Sequence, residues 1–169
     1  ALFLTLVVVV PAFAVAPIFN NQTLSIAENK VATTPNEIEA LDPEGKDLEF
    51  QKLSGTGMAV FDVGLNSGIV TLAAGQSLDY ETTKSYTLVI RVQDLEMLAT
   101  TATVTINVTD VSDERPKLTL NQSFNVAENS ANNTSVGKIS FTDLDVNDSH
   151  TFTIESGNGT GAGAFLIGA

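Results

Sequence analysis

The chain has 169 residues, 43% of them hydrophobic and 17% charged, enough apolar material for one to two small domains with separate cores. Its 20 acidic residues stand against 8 basic ones, a formal net charge of −12, and a chain this acidic repels a nucleic-acid backbone. Cysteine is absent and His150 is the only histidine, which excludes disulfide scaffolds, thiolate metal sites, iron–sulfur clusters, cysteine nucleophiles and multi-histidine zinc centres, and leaves any Ser-His-Asp triad resting on one residue.

The chain opens on ALFLTLVVVVPAFAVA, which is uncharged and almost wholly apolar. It is shorter than the about 20 residues of a membrane span, and Pro11 would break a helix there. Small residues alternate at Ala12, Ala14 and Ala16, the pattern of an A-x-A cleavage site. Residues 1–14 therefore read as a secretory signal peptide, since cleavage after Ala16 would leave Pro17 at the new N-terminus. The competing reading is a buried β-strand, on the strength of Val7 to Val10. A leader makes the protein extracytoplasmic, and the lack of an initiator Met and a basic n-region makes the sequence an expected fragment.

Past the leader the hydrophobic period is two. Short runs appear in order as TLSIA, LEFQKL, VFDVG and GIVTL, followed by the longer SYTLVIRVQD and ATVTINVTD. In the fifth, Tyr86, Leu88, Ile90 and Val92 share one face; in the sixth, Ala102, Val104, Ile106 and Val108 face inward while Thr103, Thr105, Asn107 and Thr109 face outward. Turn signals separate the runs at Asp42 to Gly45, Ser54 to Gly57 and Asn66 to Gly68. No stretch shows a period of 3.6. Roughly seven short strands, each with one apolar face, predict an antiparallel β-sandwich.

The pattern then starts again. NQTLSIAEN (Asn21 to Asn29) lies over NQSFNVAEN (Asn121 to Asn129) at an offset of 100 residues, with Asp42/Glu44 answered by Asp143/Asp145. A period this long fits tandem domains rather than a solenoid. The predicted organisation is residues 1–14 as leader, 15–113 as a first sandwich and 114–169 as the N-terminal part of a second.

The acidic residues gather where strands end. Glu28 closes the first strand, Asp79 and Glu81 precede the fifth, Asp94 closes it, Asp110 and Asp113 follow the sixth, and Asp143 and Asp145 recur in the second unit. Several pairs are two residues apart, so that both carboxylates can curl around one ion where the backbone is irregular. Carboxylates held this close repel one another, and a cation resolves the conflict. Hard oxygen ligands without His or Cys select Ca2+. Any single pair reads more simply as a solvated turn; the recurrence of the whole set in two units is what points to ligands.

The ordered set PIF…LSIAEN, ALDPEG, FDVGLNSGIVTLAAGQSLDYE, YTLVIRVQD and TINVTDVSDERP, with FNVAEN and TDLD in the second unit, resembles tandem cadherin repeats from Pro17 onward. The resemblance implies an all-β fold of tandem seven-stranded Greek-key β-sandwiches, the second truncated, with Ca2+ bound in the linker between repeats. The implied ligands are Glu28, Asp79 and Glu81 of the first repeat, Asp110, Ser112, Asp113 and Glu114 of the linker with the carbonyl of Val111, and Asp143 and Asp145 of the second repeat, completed by a carbonyl near Asn147. Ser112 and Glu114 stand where the family's linker has Asn, which weakens the outermost site on the second-repeat side. In the family Asp42, Glu44 and Asp94 would face a preceding repeat; behind a leader there is none, and the two readings left are a weakly held ion at the N-terminal tip or acids that merely preserve the repeat pattern. With no Trp in the chain, strand exchange anchored by Trp is not the expected mode of adhesion.

The resemblance further implies a non-enzymatic, calcium-binding adhesion ectodomain at the extracellular face of the plasma membrane, with a membrane anchor downstream. Its partners would be other cadherin-type ectodomains, homophilic or heterophilic. The second reading is a secreted bacterial cadherin-like surface protein that binds carbohydrate or self-associates. No nucleophile–base pair supports an enzyme. Asn21, Asn107, Asn121, Asn132, Asn133, Asn147 and Asn158 begin N-x-S/T sequons, in excess of chance, and are candidate glycosylation sites. The glycines from Gly157 to Gly163 follow no strand into a helix and read as a loop rather than a phosphate cradle.

Overall fold

The structure, a computed structural model, describes residues 14–29, 36–146, 148–155 and 163–168. The leader up to Phe13, Asn147, Asn158 and the glycines from Gly157 to Gly161 lie outside the described residues. The chain divides into two units, Ala1–Val111 and Ser112–Ala169. All regular elements among the described residues are strands.

The first unit contains β1 (Gln22–Ala27), β2 (Asn36–Glu37), β3 (Glu49–Ser54), β4 (Phe61–Val63), β5 (Ile69–Leu72), β6 (Ser85–Gln93) and β7 (Ala99–Thr109). They form a four-stranded sheet in the order β1-β7-β6-β3 and a three-stranded sheet in the order β2-β5-β4. The alternation expected in the two longest strands is the alternation observed. Leu88, Ile90 and Val92 of β6 and Val104, Ile106 and Val108 of β7 are buried, and they meet Phe61, Val70, Ile38 and Phe19 in one core. Phe61 is fully buried and packs its ring edge-on to Tyr86, with centroids 5.4 Å apart. Gly55, at φ 120, is needed for the turn into β4: a Cβ there would stand 2.2 Å from the carbonyl oxygen of Thr87.

One pairing departs from the antiparallel expectation. β1 runs parallel to β7, with Gln22 opposite Val104 and Ala27 opposite Thr109, whereas β6–β7, β3–β6, β2–β5 and β4–β5 are antiparallel. Both ends of β1 are tied down along β7. Asn21 Oδ1 accepts the Thr103 N–H at 2.9 Å at its start, and the Glu28 N–H donates to the Thr109 carbonyl at 3.2 Å at its end. The register also turns Ile26 into the core. Because β1 and β7 run the same way, they finish at the same end of the sandwich, which brings Glu28 beside Asp110.

The second unit contains β8 (Lys117–Leu118) and β9 (Phe141–Thr142), paired antiparallel. Phe141 packs against the ring of His150 at 4.6 Å and of Phe152 at 5.2 Å between centroids.

Candidate metal centre

In the first unit the site is built at the end where β1 and β7 stop. Glu28 follows the last residue of β1 and is 1% exposed. Its Oε2 accepts the Tyr80 N–H at 2.6 Å and its Oε1 accepts the Val111 N–H at 2.9 Å. These charge-assisted bonds fix the carboxylate, and each oxygen retains a second lone pair for another ligand. Asn29 then takes a left-handed conformation, φ 54, which turns the chain away.

Tyr80 packs partly buried against the core next to buried Leu78, and this anchoring sets the position of Glu81. Val108, the last core residue of β7, does the same for Asp110. Glu28, Glu81 and Asp110 each offer a carboxylate oxygen, and these oxygens lie within 4.8 Å of one another. Oxygens on opposite sides of a calcium ion, each about 2.4 Å from it, are about 4.8 Å apart, so the spacing fits a shared Ca2+. The donor set is all hard oxygen, without nitrogen or sulfur, which also suits Ca2+ rather than a transition metal. Without a cation, three negative groups at this spacing repel one another.

Asp79 is not in that group. Its Oδ1 accepts the Thr82 N–H at 2.8 Å and its Oδ2 accepts the Thr82 hydroxyl at 2.9 Å, closing a local turn in which the side chain is exposed.

The acids at the other end of β6 and β7 form a separate arrangement. Asp94 follows β6 and Asp110 follows β7, and because these strands are antiparallel the two residues lie at opposite ends of the sheet. Asp42 is 5% exposed; its Oδ1 accepts the N–H groups of Glu44 at 2.8 Å and Lys46 at 3.0 Å. Asp94 is 3% exposed; its Oδ1 accepts the Leu98 N–H at 2.9 Å. In both residues Oδ2 is buried and has no hydrogen-bond partner, an uncommon state for a carboxylate oxygen and one that a bound cation would relieve. Glu44 Oε2 accepts the Val15 N–H at 3.3 Å.

The second unit carries its own set. Asp145 is 7% exposed, and its Oδ2 accepts the N–H groups of Asp113 at 3.1 Å and Glu114 at 2.9 Å. Its Oδ1 is buried without a hydrogen-bond partner. Burial pushes the Asp145 carboxyl above the usual carboxylate range. Asp143 accepts the Asp145 N–H at 3.2 Å and pairs through Oδ2 with His150 Nε2 at 2.5 Å; the hydrogen bond to His150 is the main cause that holds the Asp143 carboxyl below its ordinary value. Ser112 donates its hydroxyl to Asp148 Oδ2 at 2.6 Å. The ligands expected from the sequence include neither Asp148 nor His150; the signal available for Asp148 was a third acid in the run that begins at Asp143.

A family model for the cadherin domain matches residues 22–109, from the first residue of β1 to the last of β7. The chain belongs to the cadherin family. Cadherins are cell-adhesion proteins rather than enzymes, and the related ectodomains are extracellular. Cadherin-99C of Drosophila melanogaster is 34% identical to this cadherin over 143 residues, which is 82% of this chain and 8% of that protein. Human Protocadherin-15 is 36% identical over 127 residues, 73% of this chain and 6% of that one. This cadherin therefore spans less than a tenth of the length of these two relatives. Among solved structures, the ectodomain of human Desmocollin-1 superposes with a TM-score of 0.67 at 23% identity, covering 79% of this chain and 27% of that one. Repeats EC1-4 of Drosophila N-cadherin superpose with a TM-score of 0.53 at 28% identity, covering 78% and 34%. Among the described residues no helix is long and apolar enough to cross a membrane.

Proposed function

We propose that this cadherin chain is a calcium-binding segment of an adhesion ectodomain, in which Ca2+ stiffens the joint between two successive repeats. On this reading residues 15–113 and 114–169 belong to those repeats, residues 1–14 direct secretion, a membrane anchor follows downstream, and the partners are other cadherin-type ectodomains. The observation that carries the reading is the convergence of Glu28, Glu81 and Asp110 at the end of the first unit from which the chain leaves. Asp110 and Val111 belong to the first unit's acidic set, while Ser112, Asp113 and Glu114, the next three residues, engage the acids of the second.

Oxygen ligands from both repeats would then share the same cations. With the ions removed, like charges repel and the residues from Asp110 to Pro116 act as a hinge, which Pro116 alone restricts too little to hold at one angle. Asp113 is the linker carboxylate assigned to bridge the ions. Small-angle scattering of the chain tests the assignment. Adding millimolar Ca2+ to the wild type is expected to lengthen and narrow its distance distribution. Asp113→Ala should leave the first sandwich folded and abolish the change. An equal response from wild type and variant would remove Asp113 from the role of bridge.

A further inference from the structure

We infer that Asn107 carries an N-linked oligosaccharide, which covers the outer face of the four-stranded sheet next to β1 and β6. The calcium-binding role makes no use of this residue. Asn107, Val108 and Thr109 form an N-x-T sequon within β7, and the strand's alternation buries Val108 while exposing both Asn107 and Thr109 on the outward face. The acceptor amide and the hydroxyl that completes the sequon thus project together into solvent.

The surroundings leave room for a sugar. Directly opposite Asn107 stand Ser25 of β1 and Ser85 of β6, both exposed. In the adjoining outward row, Thr105 lies between Thr23 and Thr87. No charged or aromatic side chain occupies these two rows, so this end of the face lacks the aromatic and Arg anchors on which tight protein contacts depend.

The other described sequons have an evident conformational use for their asparagine, or no strand to display it. The Asn21 side chain accepts the Thr103 N–H, and Asn121 and Asn133 occupy left-handed turns at φ 57 and φ 68, a conformation asparagine tolerates well. Asn132 adjoins the second of these turns. Asn107 sits in the interior of a strand, where asparagine is disfavoured, and its side chain makes no hydrogen bond to the described residues. Local structure gives no reason for an asparagine there; attachment of a glycan does.

The donor is a polyprenyl-diphosphate-linked oligosaccharide. Asn107 Nδ2 loses a proton and forms a bond to the anomeric carbon, the bond from that carbon to the diphosphate oxygen breaks, and the polyprenyl diphosphate departs. The glycan directs partner contacts to other surfaces of the first unit.

The test uses the full chain, secreted from a eukaryotic cell line behind a heterologous leader and treated with peptide-N-glycosidase in heavy-oxygen water. The expected result is that most of the Asn107 peptide carries Asp with heavy oxygen. Asn107→Gln and Thr109→Ala should each remove one glycan's worth of mass on a gel, and Thr109→Ser should retain it. An unconverted Asn107 peptide in the secreted chain overturns the inference, whether or not the other sequons are converted.

Discussion

Glu28→Ala is expected to lower the stability of the first sandwich by about 3–6 kcal/mol through its hydrogen bonds alone, because two charge-assisted bonds, of about 1.5–3 kcal/mol each, disappear together, and in 10 mM Ca2+ the lost ion adds to this. The groups that lose their acceptor are the N–H groups of Tyr80 and Val111. They belong to the segments that carry Glu81 and Asp110, so the substitution also loosens the rest of the acidic group. In EDTA the loss should be smaller, since removing one of three neighbouring negative charges relieves repulsion. The difference between the two conditions is set by linkage. For a site with Kd of about 10⁻⁴ to 10⁻³ M, 10 mM Ca2+ adds about 1.4–2.7 kcal/mol. Denaturant unfolding in Ca2+ and in EDTA measures both numbers. An equal loss in the two conditions would mean that Glu28 is a structural cap and not a ligand.

Phe61→Ala should cost a similar amount, about 3–5 kcal/mol, and by a different route. The ring is fully buried, touches Tyr86 edge-on and sits under the turn at Gly57, where even an added Cβ would be 3.1 Å from it. Truncation leaves a cavity between β4 and β6 that neither strand can close without breaking its ladder. For a sandwich of this size each kcal/mol shifts Tm by about 4–8 °C, so the midpoint should fall by at least about 12 °C. The acidic group lies outside this cavity, and the Ca2+-induced increment in stability should survive below the new midpoint. A loss under about 1 kcal/mol would contradict the packing described around Phe61.

Much of the sandwich is legible in the sequence because β6 and β7 have one buried and one wet face, and a period of two is the direct record of that asymmetry. The same reasoning misses β2, whose two residues Asn36 and Glu37 carry no apolar pattern and gain strand geometry only by pairing with Val70 and Ile69. The parallel pairing of β1 with β7 is also invisible, since direction depends on contacts about 80 residues apart, such as that between Asn21 and Thr103. Among the candidate ligands, spacing alone treats Asp79 and Glu81 as equals. The structure separates them because a threonine three residues after Asp79 captures its carboxylate, and the D-x-x-T pattern that does so was present in the sequence. The seven-residue reach from Asp143 to His150 has no such local signature.

The central claim is that the carboxylates of Glu28, Glu81 and Asp110 hold Ca2+ together. The most direct measurement is thermal unfolding of the chain with 10 mM Ca2+, 10 mM Mg2+ and EDTA, for the wild type and for Glu81→Gln. In the wild type, Ca2+ should raise the first sandwich's midpoint by about 6 °C or more, from about 1.4–2.7 kcal/mol per site at about 4–8 °C per kcal/mol, and Mg2+, which demands a tighter octahedron, should raise it much less. Glu81→Gln should be at least as stable as wild type in EDTA, where one repelling charge has gone, and should lose the Ca2+ response. Equal shifts with the two ions, or a full Ca2+ response in Glu81→Gln, would contradict the assignment.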